Sequence, residues 1–322
     1  MSIFLADGQR EDAPSPHNRP EDDLVVITPY GAAHASPLGA LREVWSCRRI
    51  IAGLVHRQLR LRYKGSFLGV LWSIFPPLLQ VAVMTILVGD IFGVGPHNKG
   101  AYIFCAYLPW IFVNNALLDA SSSILEQNFL LKKAYFPREI LPISSVLANF
   151  VHFCIALAVF LVYRYVFTAL VFGWPGLPPR EIAWFPVIVL DMAVLTTGLS
   201  LLLCTWTTFF EDVKYILQTG MQLLFYCLPI MYSAEYVFYS PRGGTRWWIY
   251  HIYLANPLAW IVTGFQQVFF GRQYLGIRHG VHVWSNPFDY RYFLLTTATS
   301  LFLFVVGIAV FGRLKWKFAE RP

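Results

Sequence analysis

Three cations lie within five residues near position 60: Arg60, Arg62 and Lys64. The chain then carries no charge until Asp90. Guanidinium groups pair with phosphate in a bidentate way, and an ammonium group supplies a point charge. A basic cluster that ends at a long apolar run is also typical of the cytoplasmic membrane surface. These cations, together with Tyr63, are therefore predicted to face an anionic lipid or a lipid-linked substrate, or to act as a topological anchor alone.

Composition places the chain in a membrane. Of its 322 residues 57% are hydrophobic and 13% are charged, whereas soluble domains carry roughly 25% charged residues. The net charge is +7, but the cations flank apolar runs and form no separate basic domain, which argues against nucleic-acid binding. The five cysteines lack metal-site spacing, and four of them fall inside apolar runs, which favours buried free thiols.

The N-terminal part divides into two predicted segments. Residues 1–37 are polar, and Pro14, Pro16, Pro20 and an acidic cluster at 21–23 predict a mostly disordered cytoplasmic tail. Residues 38–64 show apolar residues at helical spacing with basic residues opposite them, which predicts an amphipathic helix lying in the membrane interface.

An all-α integral membrane protein with six transmembrane helices is the predicted fold, in a domain spanning residues 65–314. Each predicted span is near the ~20 residues that cross a bilayer core: Phe67–Val88, Ala101–Ile124, Ile140–Phe167, Ala183–Phe209, Tyr215–Ser233 and Tyr292–Phe311. Pro76 and Pro77 are expected to kink the first span. The apolar but interrupted segment 247–270 favours a short re-entrant helical element before the last span.

Lysine and arginine in short loops predict the orientation. The N-terminal flank, the loop between the second and third spans, and the C-terminal tail at 315–322 are all basic. With six spans these three segments lie on one side of the membrane. Both termini are therefore predicted to be cytoplasmic.

No enzymatic motif is found. The sequence contains no G-x-x-x-x-G-K-[ST], H-E-x-x-H or G-x-S-x-G pattern. The acids inside predicted spans, Asp119 and Asp191, are either paired with polar groups of the bundle or line a translocation path. Aromatic residues crowd several spans, and either form an interfacial belt or stack against sugar rings.

Several segments resemble the ABC-2 type permeases that export polysaccharides. The first is R-Y-K-x-S-x-L-G-x-x-W from Arg62 to Trp72, which follows an amphipathic helix. The second is K-x-Y-F-P-R-x-I-L-P from Lys133 to Pro142. The third, "LANPLAWIVTGFQQVFFG", resembles a periplasmic element of the family. One departure is Glu211, which precedes Asp212 where the family usually has a basic residue.

The resemblance implies a permease subunit that is not itself an enzyme. Members work as homodimers with two copies of a separate ATPase subunit, so no cofactor is expected in this chain, and ATP and Mg belong to the ATPase. The implied substrate is a polysaccharide such as O-antigen, capsule or teichoic acid on an undecaprenyl-diphosphate type carrier. The implied location is the bacterial cytoplasmic (inner) membrane.

Three groups of site residues follow from the resemblance. The coupling segment for the ATPase comprises Lys132, Lys133, Tyr135, Phe136 and Arg138, with a positive-inside anchor as the alternative. The lipid-diphosphate contacts are Arg60, Arg62, Tyr63 and Lys64. The glycan-channel residues are Trp72, Phe225, Tyr226 and Tyr232.

Two other functions compete with this interpretation. An ABC-2 exporter of drugs or lipids would share the fold but usually lacks both motifs. A membrane-embedded enzyme acting on a lipid-linked glycan would need paired acids, a metal-binding D-x-D or a catalytic histidine in a loop, and the sequence provides no such group.

Overall fold

The computed structural model consists mainly of helices. It describes residues 37–65, 69, 72, 74–91, 99–127, 137–167, 169–170, 173, 179–240, 244–245, 247–278 and 281–315. Its α-helices are α1 (Pro37–Ser46), α2 (Arg48–Tyr63), α3 (Phe75–Met84), α4 (Lys99–Glu126), α5 (Ile140–Val162), α6 (Phe185–Phe209), α7 (Asp212–Cys227), α8 (Glu235–Phe238), α9 (Trp247–Ala255), α10 (Pro257–Phe270) and α11 (Tyr290–Leu314). Wider π-helical turns extend α3 over Thr85–Ile91 and α5 over Tyr163–Phe167, and a 3₁₀ turn, Arg180–Trp184, precedes α6.

Within the described ranges, four helices are long and apolar enough to cross a membrane: α4, α5, α6 and α11. Helix α4 lies at the centre of the bundle, because 19 of its 28 residues are buried. It packs against α5 and α6 and against the shorter α3, α7 and α10. By contrast, Met221 is the one buried residue of α7, all of which is described. Helix α7 therefore lies at the edge of the bundle.

The predicted first and fifth spans are shorter than expected. Pro76 and Pro77 do not kink a helix; they lie in the first turn of α3, where the missing N–H groups are not needed. Helix α7 ends at Cys227, two residues before Pro229, which cannot donate a helical hydrogen bond. Both helices fall short of the ~20 residues of a full span, so the count of six spans stays a prediction.

Helices α6 and α11 approach each other closely at two glycines. A Cβ atom placed on Gly198 would lie 2.6 Å from the backbone nitrogen of Phe304. A Cβ atom on Gly307 would collide with the carbonyl oxygen of Gly198. Small residues that let backbones approach are the usual basis of helix association in membranes.

The segment predicted as one interfacial helix forms two helices, divided at Cys47. The second, α2, runs beside the first half of α5. The Gln58 side chain donates to the hydroxyls of Ser144 (3.4 Å) and Ser145 (3.3 Å). Polar residues of α5 thus provide partners for the C-terminal half of α2, whose side chains are mostly exposed. That this segment lies in the membrane interface stays a prediction.

The end of the bundle near the start of α11 is called the hairpin end, because it holds short strands that the sequence did not predict in this mostly helical chain. Two antiparallel hairpins occur there, β1–β2 (Tyr239–Ser240 with Gly244–Thr245) and β3–β4 (Tyr274–Arg278 with Val281–Trp284). The segment expected to be re-entrant forms α9 and α10, which meet at Asn256. The Asn256 side chain accepts from the Leu258 N–H at 3.0 Å and Pro257 follows it, so a new helix begins at this point.

The cysteines are free thiols, but not all are buried. Cys105 and Cys204 lie in the core, whereas Cys154 and Cys227 are exposed on the bundle surface. An apolar run in a membrane helix can face lipid as well as protein, which explains why burial was predicted wrongly for the latter two.

Candidate functional site

A cavity of ≈310 Å³ opens between α2, α3, α4 and α5. It is called the Arg62 pocket here. Its walls combine polar side chains with aromatic rings, the main ones being Arg62, Tyr63, Trp72, Asn115, Asp119 and His152. The sequence predicted Arg62 and Tyr63 as diphosphate contacts and Trp72 as a glycan contact, and the structure places all three around one cavity.

The polar wall of the pocket is a connected cluster of three side chains. Arg62 Nη2 lies 2.6 Å from Asp119 Oδ2 on α4. Asn149 of α5 donates from Nδ2 to the same Asp119 oxygen at 2.8 Å, and its Oδ1 accepts from Arg62 Nη1 at 3.3 Å. The Arg62 and Asp119 side chains are 42% and 41% exposed, so the ion pair faces open space. Asp119 is therefore paired with polar groups of the bundle and also lines a cavity.

Position along the helices gives the depth of this cluster. Asp119 lies seven residues before the end of α4, and Asn149 nine residues after the start of α5. At 1.5 Å per residue these positions are roughly 10–14 Å inside the helix ends. A charged pair at this depth is expensive unless it has a function or a water-filled surrounding.

A second polar pair extends the wall. The Tyr63 hydroxyl lies 2.8 Å from His152 Nδ1, and the two rings meet edge to face at 5.6 Å. Opposite them, Trp72 is 49% exposed and packs edge to face on Phe75 at 5.9 Å. The pocket thus offers an exposed aromatic surface beside a cation, which suits a ligand with both an anionic and a ring-shaped part.

The other two predicted diphosphate residues lie away from this cluster. Arg60 is exposed on α2, and its guanidinium contacts His56 Nε2 at 2.9 Å, one helical turn earlier. Lys64 is exposed at the C-terminal cap of α2. Arg60 and Lys64 each lie two residues from Arg62, and residues two apart on a helix do not share a face. Their side chains therefore point away from the Arg62 cluster.

The predicted channel aromatics of the fifth span do not line the Arg62 pocket. Phe225 packs against Trp110 at 5.8 Å and is half-buried. Tyr226 is 67% exposed on the outer face of α7. Tyr232 follows the end of α7, and its hydroxyl lies 3.1 Å from that of Tyr253 on α9. Tyr226 alone among these three presents a largely open ring.

Of the predicted coupling residues, Arg138 is described and Lys132, Lys133, Tyr135 and Phe136 lie outside the described residues. Arg138 Nη1 donates to the backbone oxygen of Lys315 at 2.8 Å. Lys315 Nζ in turn lies 2.8 Å from Oε1 of the buried Glu139. These reciprocal contacts join the start of α5 to the end of α11. Arg138 is thus bonded within the chain, which sequence reasoning did not anticipate.

The hairpin end holds a buried carboxylate, that of Glu235. It accepts from the backbone N–H of Asn286 at 2.7 Å and from the Ser233 hydroxyl. The Asn286 side chain donates to the Tyr250 hydroxyl at 2.6 Å. Burial raises the pKa of the Glu235 carboxyl above its ordinary value, although these hydrogen bonds lower it in part. An open cavity of ≈490 Å³ adjoins this network, between α9, α10 and the start of α11.

Sequence reasoning missed Asn149, His152, Glu139 and Lys315 as site residues. One signal was available for the first two, since polar residues three apart inside an apolar run lie on one helix face. Nothing in the sequence alone indicated that residues 176 apart, Glu139 and Lys315, would pair. Among the described residues, no group of three or more His, Cys, Asp or Glu side chains is arranged to hold a metal ion.

Comparison of the chain with known proteins identifies its family and several relatives. Residues 51–270 match the family described as ABC-2 type transporter. The chain is 26% identical over 274 residues to the O-antigen export system permease protein RfbA of Klebsiella pneumoniae, covering 84% of this chain and 94% of the relative. It is 28% identical over 230 residues to RfbA of Myxococcus xanthus, covering 71% and 84%. It is also 26% identical over 269 residues to the capsule polysaccharide export inner-membrane protein CtrC of Neisseria meningitidis, covering 83% and 91%.

The match spans about two thirds of the chain, from within α2 to the end of α10, and includes every residue named for the Arg62 pocket. The long apolar helices are consistent with a membrane protein. The chain belongs to the ABC-2 type transporter family.

Proposed function

We propose that the chain is the permease subunit of a transporter that exports a lipid-linked polysaccharide across the bacterial cytoplasmic membrane. The similarity over most of the chain to relatives named for O-antigen and capsule export carries this proposal. The Arg62 pocket supports it from the chemistry of its walls. A guanidinium that can bind phosphate and the exposed ring of Trp72 line the same cavity, and a glycan carried on a lipid diphosphate offers the opposite charge and sugar ring faces.

Arg62, Tyr63 and Trp72 are the proposed contacts for the junction between the diphosphate and the first sugar. Pockets of roughly 300–1,000 Å³ bind small ligands, and the Arg62 pocket, at ≈310 Å³, is large enough for this junction only. Arg60 and Lys64, exposed on α2, would attract the anionic headgroup from the membrane surface rather than hold it.

A homodimer is the proposed assembly, with two copies of an ATPase subunit that binds ATP and Mg. Helix α3, its π-helical extension and helix α7 expose large apolar side chains, among them Leu79, Ile86, Ile216 and Leu223. Tyr226 and the half-buried Phe225 lie on the same α7 helix, and Tyr232 follows it. These three, with Trp72, are the proposed contacts along the glycan path between two copies.

The segment containing Lys132, Lys133, Tyr135, Phe136 and Arg138 is the proposed contact with the ATPase. Its link to the rest of the chain supports this role, because Arg138 and Glu139 are bonded to the end of α11 at Lys315. A force applied by the ATPase at this segment would reach α5 and α11 together. Both chain termini are proposed to lie on this cytoplasmic side.

Co-purification with a candidate ABC ATPase subunit from the same organism tests the proposal. The complex is formed with the unaltered chain and with alanine at Tyr135, Phe136 and Arg138, and its mass and ATPase activity are measured. The proposal expects a complex of two chains with two ATPase subunits. In the variant, the ATPase activity is expected to lose its coupling to the permease chain. A chain that binds no ATPase would contradict it.

A further inference from the structure

Asp119 lies where a phosphate oxygen would be expected. Its Oδ2 atom contacts the Arg62 guanidinium at 2.6 Å and the Asn149 amide at 2.8 Å. A guanidinium combined with a neutral amide donor on one anionic oxygen is a common arrangement for binding phosphate as well as carboxylate. The site therefore has the donors of a phosphate site and already contains a carboxylate.

This carboxylate can be displaced. The Arg62 and Asp119 side chains are 42% and 41% exposed, and ion pairs with this much exposure are weakened by solvent screening. The Arg62 pocket adjoins the pair, so a ligand has space to approach the guanidinium from the cavity side. The buried Asn149 side chain would keep Asp119 near the site after the exchange, because the Asn149 amide is a donor that does not depend on Arg62.

We infer that Asp119 competes with the substrate's diphosphate group for Arg62 and thereby decides which anions enter the pocket. The inference rests on the proposed function, since it assumes that a lipid diphosphate reaches this pocket. The competing carboxylate carries one negative charge. A phosphodiester headgroup also carries one charge and gains little by replacing it, whereas a diphosphate carries at least two and gains more. Asp119 would therefore exclude abundant anionic phospholipids while admitting the diphosphate.

Binding of farnesyl diphosphate to the purified chain in nanodiscs tests this inference. The nanodiscs are made of phosphatidylcholine, with or without phosphatidylglycerol, and inorganic diphosphate is added separately as a competitor without a lipid tail. For the unaltered chain we expect phosphatidylglycerol to leave the affinity for farnesyl diphosphate unchanged. Asp119→Asn is expected to bind farnesyl diphosphate about tenfold more tightly in phosphatidylcholine, a realistic effect for one charge-assisted contact. It is expected to lose that gain in affinity when phosphatidylglycerol is present.

Asp191→Asn is the matched control. Asp191 is the other carboxylate within an apolar helix, lies on α6, and accepts from Thr297 at 3.3 Å rather than from a cation. Its neutralisation is expected to leave diphosphate binding unchanged. Asp119→Ser is made beside Asp119→Asn, so that one variant that fails to fold does not stop the test. Loss of both from the membrane fraction would identify the ion pair as a folding contact and overturn the inference.

Two further outcomes separate the inference from the proposed function. If Asp119→Asn binds farnesyl diphosphate equally or more weakly while Arg62→Gln loses binding, Asp119 orients Arg62 for the ligand and the inference is wrong, although the diphosphate site stands. If Arg62→Gln binds as well as the unaltered chain, the pocket is not the diphosphate site and both are wrong. Inorganic diphosphate is expected to compete more strongly at Asp119→Asn than at the unaltered chain, and equal competition at both would overturn the inference.

Discussion

Lys315 Nζ lies 2.8 Å from Glu139 Oε1, so the last residue described in the chain is paired with the residue that caps the start of α5. The Glu139 side chain is 5% exposed and that of Lys315 is 19% exposed. Arg138 binds the Lys315 backbone oxygen beside this pair. The proposed ATPase contact is therefore linked to the C-terminal end of α11 by two interactions. Arg138 donates to the backbone oxygen of Lys315, and the Lys315 ammonium group pairs with Glu139.

Replacing Lys315 by methionine should destabilise the protein, because it leaves the buried Glu139 carboxylate without its cation. Removing one partner of a buried ion pair costs about 3–5 kcal/mol. The measurement is the apparent unfolding temperature in detergent. Adding Glu139→Gln to Lys315→Met should recover part of the loss, which a double-mutant cycle reports. Arg313→Gln, an exposed change in the same turn of α11, should be neutral; an equal loss there would show that the helix end and not the pair is responsible.

Replacing Gly307 by alanine should force α6 and α11 apart, because the new methyl group would collide with the Gly198 carbonyl oxygen. Overpacking of this kind typically costs about 1–3 kcal/mol. The unfolding temperature should fall accordingly. The control is Gly312→Ala in the same helix, where no atom lies within 4 Å of the added Cβ. That change should be neutral or stabilising, and a comparable loss at both glycines would contradict the close approach.

Neutralising Arg62 should affect export far more than neutralising Arg60. Arg62 bonds Asp119 and Asn149 in the pocket, whereas Arg60 contacts His56 on the exposed side of α2. Export of the glycan by cells is expected to fall about tenfold or more in Arg62→Gln, equivalent to about 1.4 kcal/mol, and to change little in Arg60→Gln. Membrane content of each variant is measured in parallel. Equal export defects in both variants at normal membrane content would support a general attraction of headgroups over a specific pocket.

Glu235 should make stability depend on pH. Burial raises the pKa of its carboxyl above the value in the unfolded chain, so the folded state binds the proton more tightly. Its stabilising contribution is therefore complete below the unfolded pKa, about 4.3, and is lost as the pH rises through the folded pKa. Glu235→Gln, which stays neutral, should gain stability relative to the unaltered chain as the pH rises from 4 to 8, by about 1.4 kcal/mol for each pKa unit of the shift.

Unfolding temperatures at a series of pH values check this dependence on pH. Glu126→Gln, at an exposed position, serves as the control. A difference between Glu235→Gln and the unaltered chain that does not vary with pH would show that the hydrogen bonds of Glu235, and not its charge, determine its effect.

The sequence predicted the long apolar helices well because their composition and length suffice to identify them. It predicted the first span less well, since a Pro-Pro pair can either kink a helix or begin one, and the choice depends on where the preceding chain packs. The hairpin β3–β4 was not predicted, because its residues are few and their pairing is decided by the ends of α10 and α11. The Arg62 pocket could be predicted in part. The cation and the aromatic residue were evident, but the partners Asp119 and Asn149 come from helices 57 and 87 residues away along the chain.

ATP-dependent transport in reconstituted vesicles tests the central claim most directly. The chain and the ATPase subunit that co-purifies with it are placed in proteoliposomes with a lipid-linked glycan. The glycan that becomes accessible on the opposite face is measured with and without ATP. The account predicts transport that needs both subunits and ATP and that falls in Arg62→Gln. Translocation that is independent of ATP or of the chain, or unaffected by Arg62→Gln, would contradict it.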